Sequence, residues 1–262
     1  MKISASNIAW KKEDDEEMLA FLKKNGFAGM EIAPTRIFAK HPYEHLQQAG
    51  EFADKIKSIY QMDIVSMQSI WFGRQENMFA TEGERDILYA YTQKAIDFAF
   101  AMRCQNLVFG CPRNRAYRDA ADLKTAIPFF HNLGVYAVEH HTVLSMEANP
   151  PIYNTNYCNT TGEAMEQIRR VDSKGFLLNL DVGTMIQNHE DIGILEKNPE
   201  MIHHVHISEP FLNPIEHREL HKELSAFLKE SGYEGFVSLE VKMQDDLELV
   251  KDMLLYVQET FA

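Results

Sequence analysis

The sequence predicts a (β/α)8 TIM barrel, and three observations carry that expectation. Short runs rich in β-branched residues alternate with helix-patterned segments eight times along the chain. Such alternation implies parallel strands joined by right-handed crossovers, and eight of them close a barrel. The length of 262 residues suits one barrel domain over residues 1–262, since the fold typically needs roughly 250. Finally, the last four strand-like runs each carry a carboxylate or imidazole at their C-terminal end, where such barrels keep their chemistry. An open doubly wound sheet would show the same alternation, but the phosphate-cradling patterns GxGxxG and GxxxxGK[ST] often found in such sheets are absent.

Lys2 to Ala9 reads as the first strand, and acidic Glu13 to Lys24 as a helix ended by Asn25-Gly26. Gly29 to Ala33 is the second strand, stopped by Pro34; Pro42 to Tyr60 is helical, with Phe52, Ile56 and Ile59 in phase. Asp63 to Ile70 is the third strand, followed by a long loop and a helix over about 84–102. Asn106 to Phe109 is the fourth, leading through Gly110-Cys-Pro-Arg-Asn-Arg115 to a helix over about 119–139. Thr142 to Glu147 is the fifth. Its loop holds Asn149-Pro-Pro-Ile-Tyr153, and the helix from Thr161 opens on Thr-x-x-Ala-x-Glu, weaker than a true capping box. Phe176 to Asp181 is the sixth strand, with a short helix over about 190–196. The seventh lies within Met201-Ile-His-His-Val-His-Ile-Ser-Glu-Pro210, before a helix over about 216–230. Gly232-Tyr-Glu-Gly235 turns the chain into the eighth, Phe236 to Glu240, and a helix over 245–260 follows.

Composition narrows the partners. With 26 basic and 39 acidic residues the formal charge is −13, which repels a phosphate backbone and argues against nucleic acid. A small soluble substrate is expected instead. No apolar run approaches the roughly 18 residues of a membrane span, so no membrane partner is expected, and Met1-Lys-Ile-Ser leads into a strand rather than a signal peptide. Three cysteines (Cys104, Cys111, Cys158) without CxxC spacing argue against a disulfide framework or thiolate zinc site, and a cytoplasmic location is expected.

In the seventh strand His204 and His206 share one face, an unusual place for two imidazoles unless something binds them. Glu147, Asp181, His206 and Glu240 occupy four successive strand ends, and three carboxylates with one imidazole suit Mn2+, Mg2+ or Co2+, with Zn2+ also acceptable. Two residues back on each strand stand Ser145, Asn179, His204 and Ser238, polar where barrel cores favour Val, Ile or Leu. They read either as hydrogen-bond partners that orient the ligands or as residues turned toward the helices.

These residues carry a resemblance. Met146-Glu-Ala-Asn149 with Tyr153, Leu180-Asp-Val-Gly-Thr184, His204-Val-His-Ile-Ser-Glu-Pro210 and Gly232-Tyr-Glu-Gly-Phe-Val-Ser-Leu-Glu240 together resemble the xylose-isomerase-like barrel superfamily. Gly26-Phe-Ala-Gly-Met-Glu31, Ser66-Met-Gln68 and Val108-Phe-Gly-Cys-Pro-Arg-Asn-Arg115 extend the resemblance over nearly the whole chain. That superfamily comprises sugar and sugar-phosphate isomerases and epimerases, with apurinic endonucleases as relatives. The resemblance implies that Glu147, Asp181, His206 and Glu240 hold one divalent ion gripping a ketose, while Glu147 and Glu240 exchange a carbon-bound proton from opposite faces through an enediolate. It also implies that barrels pair as homodimers.

Two positions depart from the tagatose/psicose-type epimerases of the group. Thr184 stands where they place a substrate-binding histidine, and Leu212 where they place an arginine. His217, Arg218 and His221 are replacements or exposed helix residues. Arg113 and Arg115 suit an anionic substrate or pair with local acids. Asn7, Glu31 and Gln68 close the first three strands and suit sugar hydroxyls; His204 and Glu209 join them as substrate-binding residues. Trp10 and Trp71 form either a wall against the sugar or part of the core. A metal-dependent sugar, sugar-phosphate or keto-sugar isomerase or epimerase is the leading expectation. The alternatives are a lyase or hydrolase acting on a keto-glycoside through the same first step, an apurinic-endonuclease-like phosphodiesterase, and a non-catalytic sugar- or metal-sensing barrel.

Overall fold

In the computed structural model, which describes residues 1–262, eight parallel strands close into a barrel in sequence order. They are β1 (Lys2–Ser6), β2 (Gly29–Ile32), β3 (Asp63–Met67), β4 (Asn106–Phe109), β5 (Val143–Glu147), β6 (Phe176–Asp181), β7 (Ile202–Ile207) and β8 (Phe236–Leu239). Outside lie α1 (Asp15–Lys24), α2 (Pro34–Ile37), α3 (Leu46–Tyr60), α4 (Glu82–Met102), α5 (Ala126–Glu139), α6 (Thr161–Val171), α7 (Val182–Asn188), α8 (Glu219–Glu230) and α9 (Leu247–Phe261). No helix is long and apolar enough to cross a membrane.

Helix starts follow local side-chain chemistry. Thr160 caps α6 and Glu163 reaches back to it, a full capping box one residue earlier than the weaker pattern expected from Thr161. The helix expected over 190–196 is a 3-10 turn, Ile192–Ile194; the helix after β6 is α7, which begins at once because Asp181 caps it through the Thr184 N–H (2.6 Å). The first strand stops at Ser6 rather than Ala9, where a 3-10 turn, Asn7–Ala9, begins. Pro34 ends β2 as expected but also opens α2, its fixed φ suiting the first helical position.

Apolar side chains fill one contiguous layer between the strands and the helices. Trp71 belongs to it: its ring meets Phe109 and Phe129 edge-on, and Nε1 donates to Thr92 Oγ1 of α4 (2.8 Å). The expected alternative of a sugar-facing wall is therefore corrected for Trp71, whose indole turns outward to satisfy its N–H inside the core. Trp10 is equally buried and donates to Asp15 (2.9 Å).

The barrel interior, by contrast, is largely polar. Ser145 donates to Asn106 Oδ1 (2.7 Å), and Asn106 donates to Ser66 Oγ (2.9 Å), so Ser145 ties strands together below the ligand layer rather than orienting a ligand. Strand stagger sets the upper layer: Glu147 is level with Asn179, Asp181 with His206, and His206 with Ser238. The register shifts in two strand pairs: Val65 is the extra residue of β3 opposite Met30 and Glu31, and His203 is the extra residue of β7 opposite Leu178 and Asn179.

Candidate active site

The stagger brings the four strand-end groups together. Donor atoms of Glu147, Asp181, His206 and Glu240 all lie within 4.8 Å of one another at the C-terminal mouth. His206 is fully buried, with Nδ1 3.2 Å from Glu147 Oε2 and 3.0 Å from Glu240 Oε2. Its other nitrogen, Nε2, lies 2.9 Å from Glu31 Oε2. A carboxylate can only accept there, so Nε2 carries the hydrogen and Nδ1 is left to the three-carboxylate side.

Glu31 is thus corrected from a sugar-hydroxyl binder to the group that orients His206. It is fully buried, and its Oε2 also sits 3.3 Å from His204 Nε2. Burial pushes Glu31 up, but the two imidazoles outweigh it and hold the carboxyl well below its ordinary range. His204 is internal, as one reading of its strand expected, but it faces Glu31 and not the cavity; burial lowers its pKa.

Two of the three carboxylates are pinned. Asn149 donates to Glu147 Oε1 (2.8 Å) and Asn179 to Glu147 Oε2 (2.9 Å). Asp181 accepts from Thr184 N through one oxygen and from Ser208 Oγ through the other. Thr184, at one of the two departures, spends its own hydroxyl on Ala148 O (2.8 Å) and offers nothing to a substrate. Gly110 was not singled out by sequence reasoning, yet a Cβ there would sit 2.7 Å from Glu147 Oε1; the only available signal was a glycine directly after a strand. Ser208, similarly missed, ties Asp181 to the Gly183 N–H (2.9 Å).

A cavity of about 230 Å3 opens above this cluster, lined by Gln68, Tyr153, Glu209 and Leu212 with Glu147, Asp181 and Glu240. Gln68 donates to Ser6 Oγ (2.7 Å), and Glu209 is clamped by Arg218 through two 2.7 Å bonds. Other expected substrate residues lie elsewhere. Asn7 accepts from Ala33 N (2.9 Å) and holds the loop after β2. Arg115 is fully buried, donating to Glu147 O and Asn149 Oδ1 (both 2.9 Å), so its guanidinium braces the end of β5 instead of gripping an anion. Arg113 is exposed on a 3-10 turn outside the cavity lining. His221 is buried between α8 and α9, with Nδ1 3.0 Å from Tyr256 Oη; α8 carries it away from the mouth.

The donor set itself fits a divalent cation. No lysine or arginine lines the cavity, and of its carboxylates Glu209 alone has a guanidinium partner, Arg218. Burial, reinforced by Glu147, pushes Asp181 up to about 6; burial, reinforced by Glu147 and Glu31, pushes Glu240 up to about 7. His206 is raised well above its usual value, because Glu240, Glu31 and Glu147 outweigh its desolvation. Oxygen-rich coordination with one imidazole suits a hard or borderline ion.

Those shifts have a consequence for stability. Folded-state pKa values above the unfolded ones mean that the metal-free fold holds extra protons, so its stability falls as pH rises through about 6 and 7. In chelator, the melting temperature is expected to drop by several degrees between pH 5 and pH 8, at roughly 2–4 °C per kcal/mol. Added Mn2+ restores most at pH 8, where protons no longer compete. Thermal melts across that range check both parts.

A closed (β/α)8 barrel with an acidic, imidazole-bearing cluster at its strand ends defines a class of barrel before any comparison is made. Residues 19–259 match the xylose isomerase-like TIM barrel family, and the chain belongs to it. No curated protein sequence matches the chain. Among solved structures, it is similar to a 3-keto-D-glucoside 4-epimerase from E. coli in its apo form (20% identity, 99% of each chain, TM-score 0.79). It is also similar to a D-psicose 3-epimerase from Clostridium cellulolyticum H10 (14% identity, 100% of this chain and 99% of that one, TM-score 0.80). An AP endonuclease, family 2, from Brucella melitensis has 19% identity over 100% of both chains and a TM-score of 0.76. At these identities the likeness is one of fold.

Proposed function

We propose that this protein is a divalent-metal-dependent epimerase or isomerase of neutral keto-sugars, working by proton transfer at the carbon beside a carbonyl. The observation that carries this reading is the convergence of Glu147, Asp181, His206 and Glu240 on one point beneath a small cavity. A cation held by those four supplies Lewis acidity that stabilises negative charge developing on the substrate's oxygens. The residues do the rest. Glu147 comes from β5 and Glu240 from just beyond β8, so they border the cavity from different sides of the barrel. One takes the carbon-bound proton as base; the other delivers a proton to the opposite face, and the configuration inverts. Glu240 is buried at the cavity floor, which keeps bulk water from competing for the proton it handles. Asp181 and His206 hold position, and Gln68 and Glu209 at the cavity wall meet sugar hydroxyls. The 3-keto-D-glucoside and psicose epimerases of the same fold support the substrate class.

Neutrality follows from where the arginines are. Arg115 is consumed by backbone and Asn149, and Arg113 lies outside the cavity lining, so no cationic side chain awaits a phosphate. The test is deuterium exchange from solvent into a panel of ketohexoses and 3-keto-glucosides, with Mn2+, Mg2+ and Co2+ in turn. Exchange at a single carbon with recovery of an epimer or isomer is the expected result. Exchange followed by loss of the glycosidic substituent would point to the lyase instead, and no exchange in any combination would overturn the reading.

A further inference from the structure

A second cavity adjoins the first and has no part in the chemistry above. It measures about 510 Å3, lies over the ends of β1 to β3, and shares Ser69 with the site cavity. Its walls include Ile8, Pro42, Tyr91 and Phe72, with Arg36 and Arg74 between them. Phe72 is 67% exposed, more than any other large apolar side chain of the protein, and its ring stands at the cavity wall. The site cavity alone, at about 230 Å3, is smaller than the roughly 300–1,000 Å3 usual for a ligand pocket. With its neighbour it falls inside that range.

The charges select the occupant. Arg36 is spent on Asp15 (2.6 and 3.1 Å) and on Trp10 O (3.2 Å). Arg74 is paired with Glu76 and lies 4.8 Å over the Tyr91 ring. Both guanidinium charges are already neutralised, which disfavours a phosphate or carboxylate. Both side chains line the same cavity as the exposed Phe72 ring, and neutral hydroxyls over an apolar face match that lining.

Resting on the epimerase reading for the ring that carries the carbonyl, we infer that the cleft bounded by Phe72, Ser69 and the Arg36 and Arg74 pairs is a subsite for a second, neutral pyranose ring, so that the preferred substrate is a glycoside and not a free hexose. Phe72 supplies the stacking face and the two paired arginines face the hydroxyl edge. Entry past Ser69 leaves the glycosidic bond near the boundary between the two cavities.

Direct binding tests this without depending on turnover. Isothermal titration of Mn2+-loaded protein with glucose, maltose and cellobiose is expected to show at least one disaccharide binding about tenfold more tightly than glucose. In Phe72→Ala, an exposed position whose loss leaves the core intact, that advantage is expected to fall to about twofold or less. Equal binding of glucose and both disaccharides would overturn the subsite, as would an advantage that survives Phe72→Ala. The two proposals fail separately. A Phe72-dependent disaccharide advantage with no deuterium exchange into the keto-forms keeps the subsite and sinks the epimerase; exchange into free keto-hexoses with no such advantage does the reverse.

Discussion

Glu240→Gln and Glu147→Gln are each expected to lower deuterium exchange by about 10²- to 10⁴-fold, the span that a positioned general acid or base contributes. Both side chains also belong to the cluster proposed to hold the cation, so the comparison is made at saturating Mn2+, which separates lost proton transfer from lost metal. Glutamine keeps the shape of each side chain and an oxygen donor while removing the ability to take a proton. Glu147 is the less conservative case, because Asn149 and Asn179 donate to its two oxygens and the NH2 of a glutamine meets one of those donors unless that asparagine turns over. A variant of either position that exchanges at the wild-type rate when fully loaded would remove that residue from the chemistry.

The second large effect lies out of substrate reach. Glu31→Gln is expected to weaken Mn2+ binding by 10- to 100-fold, or about 1.4–2.7 kcal/mol. The reason is the 2.9 Å contact to His206 Nε2: an anionic acceptor behind the ring raises the electron density on Nδ1 and fixes which nitrogen is free. An amide still accepts the hydrogen bond but carries no charge, and it can also turn its NH2 toward the ring. Metal titration of the variant, with exchange measured at saturating metal, distinguishes this from a direct role. Exchange restored by excess Mn2+ marks Glu31 as a positioning residue. Unchanged affinity would show that the buried carboxylate does not support the ligand.

What the sequence showed and what it hid divide along a physical line. Period-two alternation displayed His204 and His206 on one face, and four strand ends in a row displayed the ligand cluster, because both are local patterns. The partner of His206 was not visible. Glu31 is 175 residues away, and the register that sets it against β3 shifts at the extra residue Val65, which no composition signals. Arg115 and Arg113 look alike in sequence, but only the fold shows that one is swallowed by the end of β5 and the other exposed. Trp71 stands three residues beyond Gln68, after β3 has ended, where alternation no longer fixes direction; the N–H of its indole found Thr92 on α4. Asp181 ends β6 and at the same time caps α7, so a helix starts directly after the strand where the sequence pattern predicts one only over about 190–196. Polar residues inside the barrel were legible as exceptions, yet their partners, such as Asn106 for Ser145, follow from strand stagger alone.

On the proposed reading Glu147, Asp181, His206 and Glu240 together hold a single cation. Equilibrium titration of chelator-stripped protein with Mn2+, followed by metal analysis after dialysis, tests it most directly. One ion per chain is predicted for the wild-type protein, and a loss of binding in both Asp181→Asn and His206→Gln variants that retain their fold. Wild-type protein that retains no ion, or variants that bind as tightly as wild type, would contradict the account.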